Sequence, residues 1–328
     1  MKKKIAIGAG VLLIVLALVL VLKPASFEKK VNKIRSGMES YQLQGTMEIT
    51  SGEDVKSYAV TTSWKKDGEN EYFRVSLLDK SLNQQQIILK NNEGVFVITP
   101  SLNQVFKFQG EWPMNSPKPY LLQSLYSLID EEHECKKESD GYLLKSTTNY
   151  PSTTNITSQE IKFNKDVEPM YLTAYDKDQN IVMQMKFESI EYNNDFPDDT
   201  FATPTTNVAS IEPVYSSVVD LPLYPMSVFD SKLVSTSVAT INGETQHVME
   251  FSGEKEFTIV QTEKHASDQF KIVDIKGQLV ENLGIIGYVQ DNKLTVLSNQ
   301  VEYTVYSNDL SASEMLEVVE SMQVSVMK

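Results

Sequence analysis

The groups in this 328-residue chain best suited to acid–base or nucleophilic chemistry are three histidines, His133, His247 and His265, and a single cysteine, Cys135. A Ser-His-Asp relay needs a histidine beside an activated serine, and the chain has no Gly-x-Ser-x-Gly elbow to place one. His133 lies in the acidic run Asp130-Glu131-Glu132-His133-Glu134, whose consecutive side chains do not converge on one ion, so a solvated turn is expected rather than a metal site. Asp198 and Asp199 are adjacent and point apart, which denies them a shared acid–base task. Cys135 sits between Glu134 and Lys136, with no net positive field to stabilise a thiolate. Dinucleotide, phosphate-loop, His-Glu-x-x-His and paired-cysteine motifs are missing, and with 14 glycines in the chain, loops that approach phosphate are scarce. The expectation is a protein that is not an enzyme and carries neither cofactor nor metal.

Compartment is written at the N-terminus. Lys2, Lys3 and Lys4 precede eighteen uncharged residues, Ile5 to Leu22, of which thirteen are Val, Leu or Ile. As a helix this stretch spans roughly 27 Å, close to a hydrocarbon core of about 30 Å, and its side chains favour insertion by roughly 4 to 8 kcal/mol. It exits through Lys23 and Pro24, without an Ala-x-Ala site or a lipobox cysteine. The reading is an uncleaved signal anchor: residues 1–4 cytoplasmic, 5–22 a single membrane-spanning helix, and the bulk of the chain extracytoplasmic at the cell membrane. Without the four N-terminal lysines, 26 basic residues face 44 acidic ones, a balance of −18 that repels nucleic acid and anionic head groups. A basic patch, Lys29, Lys30, Lys33 and Arg35, follows the anchor. One cysteine cannot close an intramolecular disulfide, which suits a bacterial cell surface.

The hydrophobic periods predict a mainly β chain with a few helices, α+β in class. Phe27, Val31, Ile34 and Met38 recur at helical spacing. Strand-like runs joined by short polar turns follow: Ser57–Lys66, Glu71–Leu78, Gln85–Lys90, Val95–Thr99 and Gln104–Phe108, a meander of antiparallel neighbours. A helix over Pro119–Ile129, with an apolar stripe that includes Leu121 and Leu125, interrupts it. Strands resume at Gly141–Ser146, Ser158–Asn164, Met170–Asp176 and Asn180–Tyr192. The Thr- and Pro-rich 205–218 reads as a linker, and 219–328 as a second, small α+β domain. That domain includes a long run Gln278–Val289 and closes with a helix capped by Ser311 or Ser313.

Val95, Phe96, Val97 and Ile98 make one strand apolar on both faces, so both faces need a cover. The segment Ile98-Thr99-Pro100-Ser101-Leu102-Asn103-Gln104-Val105-Phe106-Lys107-Phe108, then Glu111-Trp112-Pro113 and Tyr120-Leu121-Leu122-Gln123-Ser124-Leu125, resembles the LolA-like lipoprotein-carrier and sorting family of endospore-forming bacteria, the sporulation and germination lipoprotein type. Asp195-Phe196-Pro197-Asp198-Asp199-Thr200-Phe201 is similar to the close of that domain, so the resemblance covers 27–204. Stretches of 219–328 resemble a small uncharacterised domain that accompanies it. The resemblance implies an open antiparallel half-barrel with helices across one face and an apolar cavity between. Trp64, Phe73, Phe96, Ile98, Phe106, Phe108 and Trp112 would line it, with Leu121 and Leu125 as lid.

Two functions follow as expectations. One is a membrane-anchored protein that binds a lipid or a lipoprotein acyl chain in envelope or spore biogenesis. The other is a non-catalytic adaptor or sensor that binds a peptidoglycan-modifying enzyme or another envelope protein. Many relatives by resemblance carry a lipobox cysteine. Here the anchor replaces it, so the domain cannot diffuse between membranes, and local capture gains weight over transport.

Overall fold

The computed structural model describes residues 26–51, 54–109, 112, 117–148, 150, 156–204, 220–265, 271–282, 285–298 and 300–324. The expected anchor at 5–22 and the linker at 205–218 lie outside the described residues. Among the described residues, no helix is long and apolar enough to cross a membrane.

Helix α1, Phe27–Gly37, belongs to a unit apart from residues 38–328; its Phe27 and Val31 are buried and Glu28 lies in its first turn. Residues 38–328 form a second unit. It begins with strands β1 (Ser40–Ser51), β2 (Asp54–Asp67), β3 (Asn70–Asp79), β4 (Gln84–Asn91), β5 (Gly94–Thr99) and β6 (Gln104–Phe108). The expected meander forms because the connecting residues tolerate left-handed backbone: Gly68, Asn83 and Asn103 all take positive φ.

After β6 the chain crosses one face of the sheet as a strap that holds helix α2 (Leu122–Ser127) and a 3₁₀ turn, Leu128–Asp130. The helix is shorter than the Pro119–Ile129 expected from periodicity, since Lys118 to Leu121 form a turn instead, closed by the Leu121 N–H donating to the Lys118 carbonyl at 3.0 Å. The acidic run is not wholly a turn either: His133–Lys137 is β7. Then come β8 (Gly141–Thr147), β9 (Ser158–Asn164), β10 (Pro169–Tyr175) and β11 (Ile181–Tyr192).

The C-terminal half contributes β12 (Leu223–Pro225), β13 (Ser231–Ile241), β14 (Glu244–Gly253), β15 (Phe257–Glu263), β16 (Lys271–Ile275), β17 (Gln278–Asn282), β18 (Ile285–Gln290), β19 (Lys293–Ser298), β20 (Val301–Tyr306), helix α3 (Ala312–Glu320) and β21 (Met322–Val324). The run Gln278–Val289 is not one strand. It folds back on itself as the hairpin β17–β18, with Gln278 opposite Val289. Ser311 caps α3 in a reciprocal box with Glu314.

The described strands make a mainly β protein of open sheets, with no closed barrel. The first has twelve strands in the order β16-β6-β5-β4-β3-β2-β1-β11-β10-β9-β8-β7. A strand from the C-terminal half, β16, joins its edge parallel to β6, from Lys271 opposite Gln104 to Ile275 opposite Phe108. The second sheet runs β13-β14-β15-β20-β19-β18-β17, and β12 pairs with β21 alone. Met249, Ile259, Leu294 and Val305 of the second sheet are fully buried with Met315, Leu316, Val318 and Val319 of α3.

Candidate functional site

Cross-strand register decides which candidate residues share a face. Residues directly opposite each other in a ladder project to the same side. Tyr192, Tyr41, Trp64, Phe73, Lys90, Val95, Phe108 and Ile275 are paired in turn across seven ladders, and so form one transverse row. A parallel row two residues along runs through Leu43, Thr62, Val75, Ile88, Val97 and Phe106. Trp64, Phe73, Phe106 and Phe108 therefore belong together, on the face that the strap covers.

Phe96 and Ile98 do not join them. They alternate with Val95 and Val97 and face the other way, where they pack with Ile87, Leu89 and Val105 beneath Phe201 and Ile272. The Asn91 side-chain amide holds this outer layer by donating to the Phe201 carbonyl at 3.0 Å and to Thr203 Oγ1 at 2.9 Å. The doubly apolar β5 thus has two protein covers, the strap on one side and the 196–204 tail with β16 on the other. The expectation that all nine candidates line one cavity fails for Phe96 and Ile98, because a period of two sends neighbouring residues to opposite faces.

Trp112, Leu121 and Leu125 come down from the strap onto the covered face, each 0–3% exposed. Trp112 meets Phe73 edge-on with centroids 5.7 Å apart, and Tyr41 stacks on Trp64 at 5.5 Å. Tyr288 of β18 closes over Phe106 and Phe108, 6.1 Å from each ring. Among the described residues, Tyr41, Trp112 and Tyr288 thus set aromatic rings against Trp64, Phe73, Phe106 and Phe108 on this face.

Polar groups stitch the strap down. Thr62 Oγ1 donates to the Tyr120 carbonyl at 2.9 Å. Tyr41 OH donates to Gln123 Oε1 at 2.8 Å and accepts from the Leu122 N–H at 3.2 Å. Tyr126 OH lies 2.8 Å from Tyr192 OH and 3.2 Å from the Val167 carbonyl. Burial disfavours ionisation of all these phenols and pushes the pKa of Tyr192 up to about 12, so they serve as neutral hydrogen-bonding groups.

The centre of the lock is Glu281, on the β17 edge strand of the second sheet. Its carboxylate accepts from the Trp112 indole at 2.7 Å and from the Tyr120 hydroxyl, and stands 2.9 Å from Lys118 Nζ. Lys118 and Glu281 side chains are 0% and 1% exposed. The Lys118 ammonium also sits over the Trp112 ring, 5.2 Å from its centroid. Burial and the neighbouring Glu281 charge drive the Tyr120 phenol well above its ordinary value. Sequence reading missed Lys118, Tyr120 and Glu281. Lys118 between Pro117 and Pro119 was a signal of fixed backbone, but nothing local announces a partner in the other half of the chain.

The opposite end of the same face is more open. Tyr58, Leu77, Asp79, Gln84, Gln86 and Thr99 meet Ile285, Ile286 and Leu297 of the second sheet around a pocket of about 460 Å³, its open mouth included. Asp79 is engaged there in capping its own turn, accepting from the Ser81 and Leu82 N–H groups at 2.8 and 3.0 Å. The three histidines lie on β7, on β14 and in the loop after β15. Among the described residues, no group of three His, Cys, Asp or Glu side chains is placed to hold a metal ion.

No family model matches the chain. The sporulation protein YdcC of Bacillus subtilis (strain 168) is 33% identical over 296 residues, which cover 87% of this chain and 86% of the relative. Among solved structures, the Pseudomonas aeruginosa MucA/MucB complex contains a chain that overlaps 92% of this one and 100% of its own length, at 10% identity and a TM-score of 0.33. The CwlD amidase from Clostridioides difficile in complex with the GerS lipoprotein overlaps 52% of this chain and 98% of the matched one, at 17% identity and 0.31. The LolA superfamily protein NE2245 from Nitrosomonas europaea overlaps 54% and 96%, at 13% identity and 0.29. None of these three superpositions is close. Sharing a third of its residues with YdcC along most of both lengths, the chain belongs to the family of the sporulation protein YdcC.

Proposed function

We propose that this protein is a non-catalytic binding adaptor of the sporulating cell's envelope, tethered to the membrane by 5–22 with its bulk outside, and that it holds a protein partner rather than ferrying a lipid. One observation carries this reading. On the face that a lipid carrier would keep open, Trp112, Lys118 and Tyr120 of the strap are fixed to the buried Glu281. An acyl chain gains about 0.8 kcal/mol for each methylene it buries. Displacing the strap, however, strands two buried charges, at a cost of about 3–5 kcal/mol, and uncovers the aromatic row as well. The acidic surface and the missing catalytic motifs agree with binding to protein. Envelope enzymes that modify peptidoglycan are the partner class we favour, in line with the sporulation role in the YdcC name.

The second reading, acyl-chain capture, draws on the aromatic row and on the open pocket beside Ile285 and Leu297. Native mass spectrometry of the full chain extracted from its own membranes separates the two. A lipid-free mass, together with a stable complex when peptidoglycan-modifying enzymes are added singly, is the expected result. A stoichiometric acyl lipid retained by the chain sinks the adaptor reading.

A further inference from the structure

Among the described residues, the two large sheets have four edges, and three of them are guarded. β7 reads His-Glu-Cys-Lys-Lys, β16 Lys-Ile-Val-Asp-Ile and β17 Gln-Leu-Val-Glu-Asn: each is five residues long and carries charge. Short, charged edges are how proteins avoid pairing with other chains. The fourth edge, β13, is different. It runs for eleven residues, Ser231–Ile241, and from Leu233 onward it holds no charge, no proline and no glycine. Four large apolar side chains of β13 stay in solvent: Leu233 at 40%, Val234 at 61%, Val238 at 64% and Ile241 at 50%.

The geometry also keeps this edge straight where it is unguarded. A bulge at Val234 interrupts the ladder with β14, but from Ser235 opposite Glu250 to Ile241 opposite Glu244 the pairing is unbroken. Asn242 and Gly243, both at positive φ, turn the hairpin tightly at its end. Seven residues in register make a strip about 23 Å long. The nearest carboxylate at the tip, Glu244, is already paired with Lys264 at 2.9 Å.

We propose that β13 is a homodimer edge: two copies of this chain pair antiparallel through Ser235–Ile241, about a twofold axis at Val238. The occupant is a second copy because this strip complements itself. With Val238 opposite Val238, Thr236 meets Thr240 on one face, while Ser237 meets Ala239 and Ser235 meets Ile241 on the other. Every pair keeps both partners on a common face, and no pair sets charge against charge. On a chain with a formal charge of −14, an uncharged strip is where two copies approach with least repulsion.

The test uses the full chain in mild detergent, with Cys135→Ser removing the native thiol. Val238→Cys in that background should link two copies on mild oxidation, because opposed residues of an antiparallel pair hold Cα atoms about 4.5–5.5 Å apart, within disulfide reach. Val55→Cys, 59% exposed on the first sheet, should not link. Val238→Lys places like charges face to face. It should shift the mass measured by sedimentation equilibrium from two copies to one, with the far-ultraviolet circular dichroism of the folded chain unchanged. A single-copy mass for the unsubstituted chain at tens of micromolar overturns the proposal. So do equal linking through Val55→Cys, a dimer that survives Val238→Lys, and a β13 paired instead with a strand of another protein.

Discussion

Lys118 Nζ and the Glu281 carboxylate meet at 2.9 Å with almost no exposure, and they join the strap of the first sheet to the edge strand of the second. Lys118→Met strands a buried carboxylate and should lower stability by about 3–5 kcal/mol in urea unfolding. Lys118→Met/Glu281→Gln should be milder than that single change, because a glutamine oxygen still accepts from Trp112 or Tyr120 without a buried charge. Losses that simply add in the double variant would mean that the two residues are not coupled.

Trp112 contributes by shape and by its N–H, and two substitutions separate these. Trp112→Phe keeps a ring against Phe73 but removes the 2.7 Å bond to Glu281, an expected loss of about 1–3 kcal/mol. Trp112→Ala also opens a cavity and should cost about 3–5 kcal/mol. Circular dichroism during chemical unfolding measures both. Equal losses would assign the whole effect to the hydrogen bond.

Glu320, at the end of α3, accepts from the Asn282 side-chain amide at 2.6 Å. Burial, aided by Glu317, raises its carboxyl from an ordinary 4.5 to about 8, against the opposing pull of the Asn282 bond and Lys56. Between these values the native state holds a proton that the unfolded chain has released, so stability falls as pH rises from about 4.5 and the loss is complete above about 8. Because the residue keeps some contact with solvent, the change is on the order of 2 kcal/mol. Unfolding free energies at pH 5 and pH 8.5 should converge in Glu320→Gln. An unchanged pH slope in that variant would remove Glu320 as the source.

Ser311 closes a reciprocal cap, accepting from the Glu314 N–H while Glu314 accepts from the Ser311 N–H at 2.8 Å. Ser311→Ala should destabilise by about 1 kcal/mol, and Ser313→Ala by less, since Ser311 supplies the cap. Thermal unfolding of the two variants distinguishes them. A larger loss at Ser313 would move the cap.

Local pattern was enough for most elements and not for their partners. Period-two alternation placed β3 to β6 and β8 to β11 to within a few residues, and Ser311 marked the start of α3. It failed at 278–289, where a continuous strand-like run hides the hairpin β17–β18, and at 119–129, where an apolar stripe reads as helix although its first residues form a turn that brings Tyr120 to Thr62 and Glu281. Periodicity reports what a segment prefers alone, and tertiary contacts bend it.

The aromatic and aliphatic residues by themselves determined that both faces of β5 must be covered. The tertiary structure decided what the covers are. Strand register, a long-range property, sent Phe96 and Ile98 away from Phe106 and Phe108. Chain crossing brought Glu281 to Lys118, Trp112 and Tyr120 on the face read as a lipid cavity. A buried ion pair depends on two residues far apart in the chain arriving at one point, and no composition or spacing near either of them records that meeting.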